Sequence, residues 1–207
     1  AGLTGSVTTQ DATPATIDSG DYGVDVVGSG ADQVTVNATV NPTFTMALAN
    51  TTDTLPTLSV GSVKTSPTPP TATINTNAAN GWYFWGNDSN QGLKSTTAGN
   101  YTIPSDCSGG AGANSTLAAG AEGYNIGAVA TSQAGGTGTV SIDSHFTGGS
   151  LGEGGGLCSG NYQTIATSTG TASNSLLTLT NNAAISGITK AATDYTDVET
   201  FVGAGLF

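Results

Sequence analysis

The single histidine of the chain stands beside two side chains that could serve in nucleophilic catalysis. Asp143, Ser144 and His145 are consecutive in the stretch SIDSHF. A Ser-His-Asp site requires its groups to converge in space, whereas consecutive residues of a strand point to alternate faces. We therefore interpret His145 as an exposed strand residue. One histidine and two distant cysteines also do not supply the four ligands of a zinc site.

The best-spaced pair of carboxylates is Asp197 and Glu199. Because they are two residues apart in a predicted strand, they lie on one face about 7 Å apart, a separation that resembles that of the two acids in glycoside hydrolases. An exposed sheet face carries the same pattern, and no neighbouring residues predict a sugar cleft. We expect a protein without enzymatic activity and without a cofactor.

Oxygen donors cluster in the stretch GNDSNQG, which supplies the calcium candidates Asn87, Asp88 and Asn90. The spaced carboxylates and the terminal glutamate of an EF-hand loop are missing. Asn and Asp are also frequent in ordinary turns. The stretch favours a turn, with calcium binding as the alternative.

The charge of the chain excludes several classes of partner. There are 3 Lys and Arg against 14 Asp and Glu, for a formal net charge of −11. Phosphate contacts need Lys and Arg, so nucleic acid is not an expected partner. No stretch approaches the ~18 apolar residues of a spanning helix, so we expect no membrane insertion of the mature form. The first residue is Ala rather than Met, which predicts a secreted chain whose signal peptide has been removed.

The two cysteines, Cys107 and Cys158, form an even count. In a secreted chain this favours one disulfide, worth roughly 4 kcal/mol in the chain-entropy model. Two free buried thiols are the alternative. Each cysteine lies beside a glycine-rich stretch, 108–123 or 147–156, so the bond would anchor two loops.

Asparagine also occurs in N-x-[ST] sequences, which are candidate N-glycosylation sites in organisms that glycosylate secreted proteins. These asparagines are Asn37, Asn50, Asn87, Asn100 and Asn114.

The stretch WYFW has aromatic side chains on both faces of a predicted strand. Alternation places Trp82 and Phe84 on one side and Tyr83 and Trp85 on the other. We interpret this strand as lying between two layers of apolar material, with both tryptophans largely buried. A sugar-stacking platform is the alternative.

Short runs of alternating apolar and polar residues, bounded by Gly, Pro, Asn and Asp, recur along the chain without a helical repeat. Examples are QVTVNATV, TATINT and GTVSIDSHF. The spacing predicts an all-β fold, an Ig-like antiparallel β-sandwich of about nine or ten strands with an extended N-terminal tail. We expect residues 31–207 to form this single domain, with a central or near-central last strand that is apolar on both faces.

Residues 1–30 contain few large apolar side chains and are predicted to be an extension. In an extended strand Leu3, Gly5 and Val7 share one face. A segment this polar has no core of its own, so residues 1–12 are a candidate strand for pairing with a neighbouring subunit.

The stretch AATDYTDVETFVGAGLF resembles the closing strand of secreted bacterial β-sandwich subunits of the spore-coat-U and fimbrial types. The stretches TINTNAANGWYFWGNDSNQGLKS and LAAGAEGYNIGA are similar to parts of uncharacterised bacterial surface proteins. The resemblance implies a secreted Ig-like sandwich that assembles on the cell surface, in several cases by donor-strand exchange. It carries over no catalytic residues. In donor-strand exchange, a terminal extension of one subunit completes the sheet of the next.

We therefore expect a structural subunit of an extracellular, cell-surface filament. The partners would be copies of the same chain in a head-to-tail homopolymer, with Leu3 and Val7 of the tail pointing into the next copy. A monomeric secreted carbohydrate-binding or adhesin module, with surface glycans as partners, is the alternative.

Overall fold

The structure of the protein, a computed structural model, describes residues 3–24, 33–107 and 114–207. These residues form strands and turns and contain no helix, so the predicted all-β class is confirmed. Accordingly, the described part of the chain has no helix that could cross a membrane. The chain divides into two compact units, Ala1–Val40 and Asn41–Phe207. The first unit is therefore longer than the extension predicted over residues 1–30.

The first unit contains a β-hairpin of β1 (Leu3–Gln10) and β2 (Thr16–Val24). The two strands are antiparallel, and a bulge opposite Gln10 leaves Ile17 without a paired residue. The turn between them is closed by Asp11, whose Oδ1 accepts the backbone N–H groups of Thr13 and Ala15. The predicted extended strand over residues 1–12 thus exists over most of its length, but it is paired with β2 rather than free.

The alternating stretch QVTVNATV does not form a strand within the described residues 33–40. Val34, Val36 and Val40 are almost fully exposed. Alternation produces a stable strand only where one face meets a core and the backbone meets a partner, and neither is present for this stretch.

The second unit is built around two antiparallel sheets. The five-stranded sheet has the order β10-β14-β5-β3, with β4 also paired to β14. Its strands are β3 (Phe44–Ala49), β4 (Lys64–Thr65), β5 (Thr71–Thr76), β10 (Gly123–Ser132) and β14 (Ala172–Ala184). The four-stranded sheet has the order β11-β13-β6-β15. Its strands are β6 (Trp82–Asp88), β11 (Val140–Ile142), β13 (Gln163–Ser168) and β15 (Glu199–Gly205).

Two small ribbons complete the described strands. They are β7 (Gly92–Ser95) with β8 (Tyr101–Pro104), and β9 (Ser115–Thr116) with β12 (Glu153–Gly154).

The core lies between the two main sheets, which confirms the predicted β-sandwich. Ala72 and Ile74 of β5 and Trp82 and Phe84 of β6 are fully buried, because alternate residues of each strand point inward. The remaining buried members of this core are Ile126, Ala128, Phe146, Leu157, Ile165, Ala166, Ala172, Leu177 and Leu179.

The last strand, β15, is an edge strand and not the central or near-central strand that the sequence predicted. It pairs with β6 on one side and with no other strand in the described part of the chain. Val202 on its outer face and Phe207 beyond it are exposed. Strands that are apolar on both faces are typical of sheet centres, which is the basis of the prediction. In β15, two of the inward positions are glycines, and the opposite layer approaches the strand closely there.

The entry to the second unit is held by Asn77, which follows β5. Its Oδ1 accepts the backbone N–H of Thr43 at 2.8 Å, and its Nδ2 donates to the carbonyl oxygen of Asn41 at 2.8 Å. The backbone N–H of Asn77 also donates to the carbonyl of Thr43 at 3.3 Å. These hydrogen bonds fix the chain immediately before β3.

The structure contains the predicted disulfide between Cys107 and Cys158, whose Cα atoms are 5.3 Å apart. It links the segment after β8 to the segment before β13. Cys158 is buried, and its backbone N–H donates to Oε1 of Gln163. This hydrogen bond ties Cys158, just after the glycine-rich stretch 147–156, to β13 of the four-stranded sheet. The disulfide ties the same residue to the segment after β8.

Candidate functional site

One face of the hairpin is apolar from Leu3 to Val7, and the polar pair Thr9 and Asp18 ends this apolar stretch near the turn. Directly opposed residues of an antiparallel pair project to the same side, and the register opposes Leu3 with Val24, Gly5 with Tyr22 and Val7 with Gly20. Leu3 and Val7 are 64% and 59% exposed, and Tyr22 and Val24 are also exposed. The predicted interface residues Leu3, Gly5 and Val7 therefore share one face, as expected.

The opposite face of the hairpin is polar. It consists of Thr4, Ser6 and Thr8 of β1 and Ser19 and Asp21 of β2. An isolated two-stranded hairpin is at best marginally stable in water. Sequence reasoning missed the contribution of β2 to the apolar face, although the spacing of Tyr22 and Val24 was a signal for it.

Two sheet edges that pair with no further strand in the described part of the chain lie along one side of the sandwich. The edge strands β3 and β15 face each other across the layers, since a Cβ at Gly203 would come within 2.8 Å of the Phe44 ring and 3.1 Å of Met46 Sδ. A cavity of about 860 Å³ extends from this side, lined by Leu48 of β3 and Phe201 of β15 among others. Free edges present unpaired backbone groups and are sites for strand addition.

The aromatic residues of β6 divide between the core and the surface. Trp82 is fully buried, as predicted, whereas Tyr83 is exposed and Trp85 is only half-buried. Tyr83 and Trp85 stack on each other on the outer face of the sheet, with ring centroids 5.3 Å apart. The prediction that both faces are core is therefore wrong for the outer face, because Tyr83 is exposed there and Trp85 is only partly covered.

A cluster of acidic side chains lies at one end of the sandwich. The register opposes Asp88, the last residue of β6, with Glu199, the first residue of β15. Asp197 lies two residues before Glu199 in the chain, on the same side of the strand. Asp88 is fully buried, and the oxygen atoms of Glu199 bond to groups from the opposite layer: Tyr124 Oη donates to Oε1 at 2.9 Å and Asn181 Nδ2 to Oε2 at 3.4 Å. The interpretation of Asp197 and Glu199 as an exposed sheet face is wrong.

Burial has a large effect on the protonation of this cluster. Burial, together with the negative charge of Asp197, raises the pKa of Asp88 to about 6. Burial raises the pKa of Glu199 to about 7 even though the hydrogen bonds from Tyr124 and Asn181 act in the opposite direction. Burial also raises the pKa of Asp197. The cluster is therefore able to hold protons in a pH range where most carboxyls are ionised.

The three calcium candidates do not converge. Asn87 points to the outer side of β6, where its Nδ2 donates to the carbonyl oxygens of Cys158 and Asn161. Asp88 points inward. Asn90 contributes its backbone N–H, which donates to Oδ1 of Asp197 at 3.2 Å. In the described part of the chain, no three His, Cys, Asp or Glu side chains are arranged to hold one metal ion.

The candidate catalytic triad is not assembled in this structure. His145 Nδ1 lies 2.6 Å from Asp143 Oδ1, in a turn after β11 rather than in a strand. Ser144 takes no part in this contact. Gly148–Gly152 has the letters of the G-x-S-x-G nucleophile motif, but Ser150 is exposed in a turn, and its backbone N–H donates to Glu153. The strand-to-helix elbow of that motif is missing from this segment.

Four of the five asparagines in glycosylation sequences are exposed: Asn37, Asn50, Asn100 and Asn114. Asn87 is only partly exposed, and its amide donates to the two carbonyl groups described above. The exposed Asn50 and Asn114 each donate to one carbonyl oxygen, that of Pro69 and that of Thr147.

No protein-family model matches the chain, and neither a curated protein nor a solved structure was found to be similar to it.

Proposed function

We propose that the protein is a structural subunit of an extracellular filament, in which the N-terminal hairpin of one copy adds to the free β15 edge of the next. The observation that carries this proposal is the exposed apolar face of a hairpin that has no core of its own. The resemblance to spore-coat-U-type and fimbrial subunits supports the same assignment, including secretion to the cell surface.

The chemistry of the two surfaces is complementary. A strand of the hairpin satisfies backbone groups along β15, and the apolar face around Leu3, Val7 and Tyr22 removes its own side chains from water by packing against the receiving copy. Because the donating and receiving surfaces differ, the contact is heterologous and does not close. Repetition of this contact produces a filament rather than a dimer.

The test compares two neighbouring residues of β1 on opposite faces. Val7→Asp places a charge on the apolar face, whereas Thr8→Asp places the same charge on the polar face. We expect negative-stain microscopy and sedimentation velocity to show filaments for the wild type and for Thr8→Asp, and single subunits for Val7→Asp. Equal assembly of both variants would contradict the proposal.

A second measurement separates the two partners of the contact. The Val7→Asp protein keeps its β15 edge, so it should bind a labelled synthetic peptide of residues 3–24 in a 1:1 complex. The same peptide carrying the Val7→Asp change should not bind. If the wild-type peptide also fails to bind, the receiving edge is not as proposed.

The stacked pair Tyr83–Trp85 favours a second candidate function, a carbohydrate-binding or adhesin module. Aromatic rings at the surface bind the apolar faces of sugars. The stacking covers one face of each ring, which leaves less aromatic surface for a sugar than a flat platform offers. Binding to a glycan array by wild-type protein, lost in Trp85→Ala, would support this alternative.

A further inference from the structure

Two carboxyl groups meet in the interior where β15 begins. One oxygen of each is bonded to the backbone: Asp88 Oδ1 accepts the N–H of Gln91 at 2.6 Å, and Asp197 Oδ1 accepts the N–H of Val198 at 2.8 Å. The second oxygen of each, Oδ2, is buried and accepts no hydrogen bond. Both carboxyl groups accept hydrogen bonds from the same turn, Asp88 from Gln91 and Asp197 from Ser89 and Asn90, which brings them together at this turn.

This pair has an unsatisfied electrostatic requirement. Two ionised carboxylates in contact repel each other, and each buried oxygen without a partner is destabilising. One proton shared by the two carboxyl groups removes the repulsion and turns one of the unpartnered oxygens into a hydrogen-bond donor.

Within the described residues, no cation forms an ion pair with Asp88 or Asp197. Lys190 lines the same cavity as Asp197, but its Nζ donates to the carbonyl oxygen of Ala98 at 3.2 Å. The titratable groups that face the pair are Glu199 of β15 and Tyr124 of β10, while Asp53, from the segment before β4, acts on Glu199. All of these are acidic groups. The contact between His145 Nδ1 and Asp143 Oδ1 in the described part of the chain involves neither Asp88 nor Asp197.

We propose that Asp88 and Asp197 share one proton and act as a pH-operated latch, which fixes the start of β15 to the turn after β6 and opens when the proton is lost. This inference goes beyond the proposed function and does not depend on it.

The contacts around the pair define what the latch holds. Asp197 Oδ1 also accepts the hydroxyl of Ser89 and the backbone N–H of Asn90, and the N–H of Ser89 donates to the carbonyl of Val198 at 3.0 Å. Asp197 and Val198 line the 860 Å³ cavity. Repulsion between the two carboxylates therefore loosens one wall of this cavity and the first residues of β15.

The direction of the pH dependence follows from the raised pKa values. The folded state binds the proton more tightly than the unfolded chain does, so the stabilisation is fully present below the usual aspartate pKa of 3.8 and is lost as the pH rises through about 6. Glu199, with its pKa of about 7, contributes in the same direction at slightly higher pH. The test must therefore separate the pH effect of the Asp88–Asp197 pair from that of Glu199.

Hydrogen exchange on the full chain between pH 4 and pH 8 tests the latch. After correction for the intrinsic pH dependence of exchange, protection of the Asn90 and Val198 amides should fall through about pH 6, by up to about tenfold per pH unit. In Asp88→Asn the new amide donates permanently to Asp197, so this fall should disappear. Glu199→Gln should keep it, because the aspartate pair is intact. An Asp88→Asn protein with the wild-type profile would overturn the proposal.

Asp194→Asn is the matched control. Asp194 anchors the same segment through hydrogen bonds from Ser95, Thr96 and Thr97, and these hold its pKa well below its usual range. This variant should lower protection at all pH values above 4 without moving the midpoint near pH 6.

Two further measurements keep the proposal falsifiable if a variant does not fold. Infrared spectroscopy of the wild type should show a protonated carboxyl band that decreases in two steps, through about pH 6 for the aspartate pair and through about pH 7 for Glu199. The absence of the step near pH 6 would overturn the shared proton. So would a calcium-dependent gain of protection at pH 8 that is lost in Asp197→Asn, because the pair would then hold a cation instead.

Discussion

The ring of Tyr22 lies directly over Gly5 on the neighbouring strand of the hairpin. A Cβ at Gly5 would come within 2.4 Å of Tyr22 Cζ, so any side chain at this position must displace the ring. The tyrosine ring thereby fills the gap between Leu3 and Val7 and makes the apolar face continuous.

Gly5→Val should therefore weaken filament assembly. The valine displaces the Tyr22 ring and breaks the apolar face, although valine itself favours a strand. Gly23→Val is the control, because Gly23 is opposed to Thr4 on the polar face and a Cβ at Gly23 meets nothing within 4 Å. Sedimentation velocity should show shorter polymers for Gly5→Val and unchanged polymers for Gly23→Val. If both behave as wild type, Tyr22 does not contribute to the interface.

Trp82→Ala should lower the free energy of unfolding by roughly 3–5 kcal/mol, because it removes a large aromatic side chain from the core. Tyr83→Ala, one residue along the same strand, should cost less than about 1.5 kcal/mol, since it removes an exposed ring and one stacking contact. Urea unfolding followed by circular dichroism measures both. Similar losses would mean that the outer face of β6 is covered in solution.

Replacing both Cys107 and Cys158 by serine should lower the free energy of unfolding by about 2–5 kcal/mol. The disulfide restricts the unfolded chain and anchors the stretch 147–156 in the folded state. Mass spectrometry of unreduced peptides should show the linked pair in the wild type. Two thiols that react with an alkylating reagent in native protein would contradict the bond.

Glu199→Gln should stabilise the protein at pH 8 and have little effect at pH 4. The raised pKa of Glu199 means that the folded state loses stability as the pH rises through about 7, and glutamine removes this loss, by at most about 3 kcal/mol. Thermal unfolding at the two pH values measures the difference.

Glu122→Gln is expected to change stability at pH 8 in the opposite direction to Glu199→Gln. Burial raises the pKa of Glu122, but the hydrogen bonds from Thr189, Tyr101 and Ser186 outweigh this effect and hold it below its usual value. Its ionised form is therefore stabilised in the folded state, and the substitution should destabilise the protein at pH 8. If Glu199→Gln and Glu122→Gln changed stability at pH 8 in the same direction, burial and hydrogen bonding would not determine the protonation states of these two residues.

The sequence predicts the sandwich but not the location of its acidic residues. Alternation in TATINT and around Trp82 and Phe84 identifies strands with one buried face, and those strands form the core. The same alternation places Asp197 and Glu199 on one face without saying which face is buried. Because acidic residues are rarely buried, the pattern favoured the wrong side.

Sequence patterns failed for the two ends of the chain for a related reason. The turn between β1 and β2, from Asp11 to Ala15, lacks the two-residue Asn-Gly or Asp-Gly signal of tight hairpins, so the pairing of Leu3 with Val24 was not predicted. The apolar residues of β15 are typical of a central strand. Its edge position depends on which strands lie beside β6 in space, and that information is not local in the sequence.

The hydrogen bonds of Asn77 to Asn41 and Thr43 also determine how the sandwich would respond to a mechanical load. Tension transmitted along the chain from the hairpin enters at Asn41 and Thr43, where Asn77 holds the backbone before it reaches β3. A pull along the axis of β3 then loads its ladder with β5, from Phe44–Thr76 to Ala49–Thr71, in shear. In shear the hydrogen bonds share the force, whereas in peeling they would break one after another. The hydrogen bonds of the Asn77 side chain would thus carry part of a pull on the preceding chain before this pull reaches β3.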